Sequence, residues 1–305
     1  MRVLVTGGAG FIGSHIVDQL LAHGDEVLVV DDLSTGKKAN LPNEARLENL
    51  DIGDRAMVDL ASSFRPDLVT HCAAQAAVPT SMAHPVLDAT TNIVGGINVC
   101  QAAIRSQCAQ FIYITTGGAL YGDPDYLPCD EDHPIRPISA YGLSKWTLES
   151  YLRILFPASI QLKVLRLANV YGPRQDPKGE AGVVAIFAGR MLRDEEVTIF
   201  GDGRQTRDFV YVGDVARAHE LAQELSGTIT VNVGSAVATS VEDLATLMAT
   251  EAGYRRSPVY DAERTADIKH IVLTNTRAKR LLGWTPLTSL GHGLRDTLAW
   301  MKAQF

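Results

Sequence analysis

The sequence predicts an α/β protein built on a doubly wound parallel sheet, with a second, smaller α/β domain. Three observations carry this. Short β-branched runs alternate with longer amphipathic stretches through the first half, the signature of a parallel sheet covered by helices on both faces. A glycine cluster follows the first run and opens the first amphipathic stretch. After residue 171 the rhythm loosens and Gly, Arg and Asp accumulate.

The runs at 3–7 (VLVTG), 26–32 (EVLVVDD), 68–74 (LVTHCAA), 111–116 (FIYITT) and 163–170 (KVLRLANV) are apolar enough to need cover on both sides. The stretches at 12–22, 92–106 and 141–156 supply it, each long enough for three helical turns. These features place a first domain at 1–172 and a second at 173–305, with the chain returning to the first around 209–233. Near the end, Asn275 is placed to cap a helix that stops at Leu282-Gly283, with Pro286 just beyond.

The 305 residues are 46% hydrophobic and 21% charged, a globular composition. Lys plus Arg number 28 and Asp plus Glu 35, a net charge of -7 without long blocks of either sign, which argues against a nucleic-acid partner. The first residues break into glycines before an apolar run long enough for a signal peptide or membrane span can form, so a soluble, cytoplasmic protein without a membrane partner is expected. Cys72, Cys100, Cys108 and Cys129 show neither a Cys-x-x-Cys pair nor the histidine spacing of a zinc site, and read as free thiols with no metal expected.

The cluster spells Gly7-x-x-Gly10-x-x-Gly13 between a strand and a helix. In that setting it is a dinucleotide fingerprint of the Rossmann type. Gly7 permits the tight turn, Gly10 lets the backbone approach a pyrophosphate, and Gly13 lets helix and strand pack closely. Asp31 ends the second run, where a carboxylate can accept both ribose hydroxyls and repel a 2′-phosphate, favouring NAD over NADP. Asp32 shares that task or caps the following loop. Asp51 and Ile52 are placed for the adenine edge, or Asp51 is a solvated loop residue. Ala73 and Ala74 are small enough for a cofactor to lie against the backbone.

Tyr141-x-x-x-Lys145 opens a helical stretch, and a spacing of four puts both side chains on one face. A tyrosine near its ordinary value of ~10 needs a shift of about 3 units, or about 4 kcal/mol, to serve as a base at neutral pH. A neighbouring ammonium and a bound nicotinamide ring are expected to supply it.

With these motifs the chain resembles the extended short-chain dehydrogenase/reductase family, over essentially its whole length. The segment 115–122 (TTGGALYG), the run 166–175 (RLANVYGPRQ) and Arg207-Asp208-x-x-x-x-x-Asp214 resemble the NAD-dependent epimerase/dehydratases, and among them the UDP-glucose 4-epimerase family. The resemblance implies a UDP-sugar substrate, bound NAD and a 4-keto sugar intermediate. It implies that Tyr141, Lys145 and Thr116 are catalytic, and that Phe11, Ile12, Gln75, Asn92 and Thr115 join the cofactor contacts. Asn169, Arg174, Val183, Arg207, Arg264 and Ile271 are the implied substrate contacts, together with Thr116 and Tyr141. The family's sugar-orienting hydroxyl aligns with Gly117, so Thr116 must take over that role. Gly118 and Ala119 stand where dehydratases carry an Asp-Glu pair, and neither can move a proton. Asn92 braces the lysine or a water, or is an ordinary helix cap. Ile271, of intermediate size, is expected to face the sugar's 2-substituent, or to be core. The resemblance also implies a homodimer through the stretches 92–106 and 141–156, with Ile93, Ile97, Leu148 and Leu152 as candidate contacts unless they pack on the sheet. The alternatives are epimerisation of UDP-N-acetylglucosamine or UDP-glucuronate, a nucleotide-sugar dehydrogenase or reductase, and a non-catalytic NAD-binding protein.

Overall fold

The computed structural model describes residues 1–177, 182–263 and 268–304. The chain divides into two compact units. Unit 1 comprises residues 1–116, 139–166 and 216–231; unit 2 comprises 117–138, 167–215 and 232–305.

Unit 1 begins β1 (Arg2–Thr6), α1 (Phe11–Ala22), β2 (Glu26–Asp31), β3 (Arg46–Asn49), α2 (Ala56–Phe64), β4 (Leu68–His71), α3 (Val78–Ala83) and α4 (Pro85–Ala89). A π-turn (Thr90–Gly95) leads into α5 (Gly96–Arg105), followed by β5 (Gln110–Thr116), α6 (Ala140–Leu155) and β6 (Gln161–Leu167). After β7 (Asn169–Tyr171), α7 (Val183–Leu192), β8 (Thr198–Phe200) and β9 (Thr206–Tyr211), α8 (Val212–Glu224) and β10 (Ile229–Val233) follow. The main sheet has seven strands in the order β10-β6-β5-β4-β1-β2-β3, and its ladders from β3 to β5 are parallel. The order reverses between β1 and β4, the switch point at whose carboxyl edge doubly wound sheets bind ligands. Leu4, Leu28, Val69, Phe111, Tyr113 and Val164 form one core with Val99, Ala103, Leu148 and Leu152 of the covering helices.

In unit 2, β7 and β9 join β11 (Ala238–Ser240) in a three-stranded sheet, and β8 pairs in parallel with β12 (Val259–Asp261). Its core is built by α7, α9 (Val241–Ala252) and α11 (Leu290–Lys302), with Phe187, Leu244, Met248 and Leu294 buried together. The short α10 (Thr276–Leu282) ends at Gly283 in the left-handed region, φ 64°.

Several boundaries differ from expectation. The run 163–170 is two strands, because β6 lies in the main sheet whereas Asn169–Tyr171 pairs with Phe209–Tyr211 of β9. The units therefore part near residue 166 rather than 172, and the return covers 216–231. Residues 117–138 belong to unit 2, tied there by the Cys129–Leu273 bridge, by the Tyr121 hydroxyl donating to the Asn232 side chain, and by the Glu131 carboxylate accepting from the Asn232 amide. The stretch 92–106 is no single helix: Asn92 sits inside the π-turn and begins nothing. Asn275 occupies the N-cap position of α10, yet its amide donates to the Gly234 carbonyl instead of capping. The four cysteines are free, as expected, and burial pushes the Cys100, Cys108 and Cys129 thiols up to about 12, leaving them unreactive.

Candidate active site

The glycine loop joins β1 to α1 at the switch point. Gly7 holds φ +68°, and a Cβ there would lie 2.5 Å from the Ala73 amide nitrogen, so the ends of β1 and β4 approach too closely for any side chain. A Cβ on Gly13 would stand 2.2 Å from the Gly7 carbonyl oxygen, which locks α1 against the turn. Gly10 is different: its Cβ would meet only the Gly7 oxygen, at 3.2 Å. No side chain caps α1, whose first residues are Phe11 and Ile12, so the amides of its first turn are left to a ligand. These are the features of a pyrophosphate cradle.

Asp31 ends β2 with its carboxylate accepting from the Ala9 and Leu33 amides, each at 2.9 Å. Two bonds leave acceptor capacity on a carboxylate. Burial raises its pKa, against the pull of both amides. Asp32 accepts from the Ser34 amide and hydroxyl, the loop-capping alternative. Asp51 accepts from the Gly53 amide in an exposed turn, while Ile52 is buried against Gly95.

The Ser139 hydroxyl accepts from the Gly142 amide and caps α6, which fixes Tyr141 in the first turn and Lys145 one turn on. The Lys145 ammonium donates to the Ile114 carbonyl at 3.1 Å and lies 4.6 Å from the centre of the Tyr113 ring. Burial pushes Lys145 down to about 8, opposed by Cys72 and Asp88. Tyr141 departs from the expected direction: burial, with Asp88 adding, pushes it up to about 12. Its hydrogen bond with Thr116 pulls the other way, as a partner that favours the phenolate does. Burial outweighs any help from Lys145, whose Nζ bonds the Ile114 carbonyl and lies over the Tyr113 face. Thr115 is buried beside Thr116 at the end of β5.

Asn92 holds neither Lys145 nor a helix end. Its side chain accepts from the Gln75 amide and donates to the Gln75 carbonyl, Asp88 and the Ser144 hydroxyl, which in turn donates to the Tyr141 carbonyl. Asp88, 1% exposed, also accepts from the Gln75 side chain. Sequence reading missed it. The spacing of four between Asp88 and Asn92 was the available signal, and α4 and the π-turn put them on one face. Ala74 continues the half-buried loop after β4.

Unit 2 carries the remaining residues. Asn169 begins β7 opposite Phe209 of β9, Arg174 follows the strand at φ +71°, and Val183 opens α7. Arg207 lies on β9, its Nη1 donating to the Thr206 carbonyl at 2.9 Å. Arg264 falls outside the described residues. Of its two expected places Ile271 takes the core: it is 2% exposed with its amide bound to the Thr206 carbonyl. Buried Asp208 was also missed as a brace. Its carboxylate gathers the Ser235, Ala236 and Leu273 amides.

A glycine cradle at the switch point, an acidic end to β2 and a buried Tyr-x-x-x-Lys pair define a dinucleotide-binding α/β protein equipped for proton transfer. Residues 3–234 match the model of the NAD dependent epimerase/dehydratase family, and the chain belongs to that family. It is 41% identical over 311 residues to a UDP-glucose 4-epimerase of Mycolicibacterium smegmatis, covering 99% of both chains. Among solved structures, it is similar to a UDP-glucose 4-epimerase of Thermotoga maritima with UDP-glucose, at TM-score 0.98 and 46% identity over 100% of this chain and 99% of that one. A Thermus thermophilus UDP-glucose 4-epimerase in complex with NAD matches at TM-score 0.94 and 41% identity, covering 100% of both.

Proposed function

We propose that this protein is an NAD-dependent nucleotide-sugar 4-epimerase that interconverts UDP-glucose and UDP-galactose. The observation that carries the reading is the Tyr141 hydroxyl held by Thr116 on the same α6 that buries Lys145, at the carboxyl edge of the sheet that holds the glycine cradle. Full-length identity of 41% and 46% to UDP-glucose 4-epimerases supports the substrate class.

The residues fit NAD. Gly7 and Gly13 let β1, β4 and α1 pack close, Gly10 leaves the room a pyrophosphate needs, and Asp31 retains acceptor capacity for ribose hydroxyls while repelling a 2′-phosphate. Ala73, Gln75, Thr115 and Lys145 complete that set. When bound, NAD supplies the acceptor for a hydride from the sugar's C4 and its later donor. Tyr141 takes the 4-hydroxyl proton and returns it to the 4-keto sugar after the sugar has presented its other face. Thr116 orients the hydroxyl and favours the phenolate, and Lys145 supplies positive charge to Tyr141 and the nicotinamide ribose. In unit 2, Asn169, Arg174 and Arg207 bind the UDP moiety; a guanidinium matches phosphate oxygens by its fork. Dehydration lacks an acid and base at Gly118 and Ala119. With Ile271 in the core, the preference for glucose over its N-acetyl analogue rests on the relatives.

The enzyme is a cytoplasmic homodimer in this reading. Leu148 and Leu152 are buried in the core of their own chain and leave the contact. Val86, Val94, Leu143 and Ile154, all more than half exposed, take their place on α4, the π-turn and α6. The cytoplasmic assignment rests on the four free thiols, and among the described residues no helix is long and apolar enough to cross a membrane.

Incubation with UDP-galactose, UDP-N-acetylglucosamine and UDP-glucuronate in parallel, with product analysis, tests the function. Conversion of UDP-galactose to UDP-glucose without net consumption of NAD is expected. Stoichiometric NADH with release of an oxidised sugar would make it a dehydrogenase.

A further inference from the structure

Under the Lys145 ammonium lies an aromatic stack that the proposed reaction does not use. Tyr113, fully buried on β5, pairs in register with His71 of β4, and their rings stack with centroids 5.7 Å apart and planes 15° from parallel. The Lys145 Nζ lies 4.6 Å from the Tyr113 ring centre, and the Tyr113 hydroxyl donates to the Lys145 carbonyl at 3.2 Å. One residue thus holds the lysine at its backbone and at its charged end.

We propose that Tyr113 is a positioning residue for Lys145, its ring face keeping the side chain charged and in place at the end of β5. The face of an aromatic ring is negative and attracts a cation held over it, most strongly where water is excluded. Lys145 is 3% exposed. The groups acting on it come from three elements. Asp88 of α4 attracts it; the Cys72 thiol, which burial pushes up to about 12, stays neutral; and His71, pushed down to about 3 by burial and by Lys145, stays neutral too. The His71 Nδ1 is anchored on the Thr6 hydroxyl at 2.7 Å. The stack therefore carries no second cation to oppose the first. With burial, against the pull of Asp88 and Cys72, bringing Lys145 to about 8, a modest attraction from the ring decides how much ammonium survives at neutral and mildly alkaline pH.

The inference rests on the catalytic reading of Lys145, and the test separates the two. Phenylalanine and its mono-, di- and trifluorinated analogues are placed at position 113 of the full chain. The series drains the ring face of negative charge at nearly constant volume, and none of its members carries the hydroxyl. Lysine labelled with 13C at Cε reports the Lys145 titration by NMR, assigned by its loss in Lys145→Met. Tyr113→Phe is expected to titrate within a few tenths of a unit of wild type. The trifluorinated ring is expected to titrate about 0.5 to 1.5 units lower, in even steps. The alkaline side of the epimerase pH profile is expected to retreat in parallel. A flat series, or a drop of the full size already in Tyr113→Phe, would overturn the role of the ring. If Lys145→Met turns over UDP-galactose like wild type, the catalytic reading of Lys145 fails whatever the titration shows.

Discussion

Replacing Thr116 by valine removes one hydroxyl and keeps the branched shape. In the structure that hydroxyl bonds Tyr141 and opposes the burial that holds the phenol up at about 12. A hydrogen bond to a charged group contributes about 1.5 to 3 kcal/mol. At about 1.4 kcal/mol per unit, its loss raises the Tyr141 pKa by about one to two units. The sign follows because a phenolate oxygen only accepts: the Thr116 hydroxyl donates to the charged form, which therefore loses the stronger partner. Since the base works deprotonated, the acid limb of kcat/KM against pH is expected to move up by about one to two units. Turnover at pH values below that limb then falls about 10- to 100-fold. Thr116→Ser, which restores the donor, should return the limb to its place. The assay is UDP-galactose conversion followed by product analysis across pH, with NAD affinity measured alongside. A valine variant with the wild-type profile would refute the assignment of Thr116, and with it the claim that the hydroxyl missing at Gly117 is supplied one residue earlier.

Tyr141→Phe should fold and retain NAD yet lose at least about 100-fold in kcat, the contribution typical of general acid–base catalysis; near wild-type turnover would remove Tyr141 from the mechanism. Asp31→Ala should weaken NAD binding in titration calorimetry and narrow the discrimination against NADP, because the repelling carboxylate is gone; equal wild-type affinity for the two cofactors would refute the role of Asp31. Glu149, fully buried, bonds Arg166 at 2.7 Å and Arg153 at 2.8 Å. Glu149→Ala removes the carboxylate that pairs the buried Arg166 guanidinium and should cost about 3 to 5 kcal/mol, seen as a drop in Tm on the order of 10 °C. Most of that should return in Glu149→Leu combined with Arg166→Met. Ile154→Glu with Val94→Glu should convert a dimer mass in light scattering to a monomer mass without changing the far-ultraviolet circular dichroism.

What was legible in the sequence was local. The glycine loop, the capped start of α6 and the Tyr141-Lys145 spacing each lie within one turn or one strand end, where residue type dictates backbone geometry. The alternating runs read as a parallel sheet because burial on both faces leaves mostly apolar residues. What failed depended on partners far along the chain. The break at Ala168 is invisible until Asn169 to Tyr171 find β9. Ile271 reads as a pocket residue by counting along a loop, but its environment is set by the backbone at Thr206. Tyr113 and His71 come together only because β4 and β5 are neighbours, and Asp88 joins Gln75 and Asn92 only once the chain after β4 has turned back. The sign of the Tyr141 shift was missed because burial is a property of the fold, whereas the nearby lysine is a property of the spacing.

The path of the chain has a consequence for how the protein is made. It passes between the units five times, at residues 116, 138, 166, 215 and 231, so neither unit is a continuous segment. An edge strand of the main sheet, β10, ends at Val233, after the first two segments of unit 2. A chain emerging from the ribosome must therefore leave β6 without its outer neighbour while the intervening residues are synthesised, a wait of several seconds or more at roughly 5–20 residues per second. During that wait the apolar edge of β6 is open to other chains. Truncation before β10 should for the same reason yield aggregated product, and no cut at a single point can release a self-sufficient half.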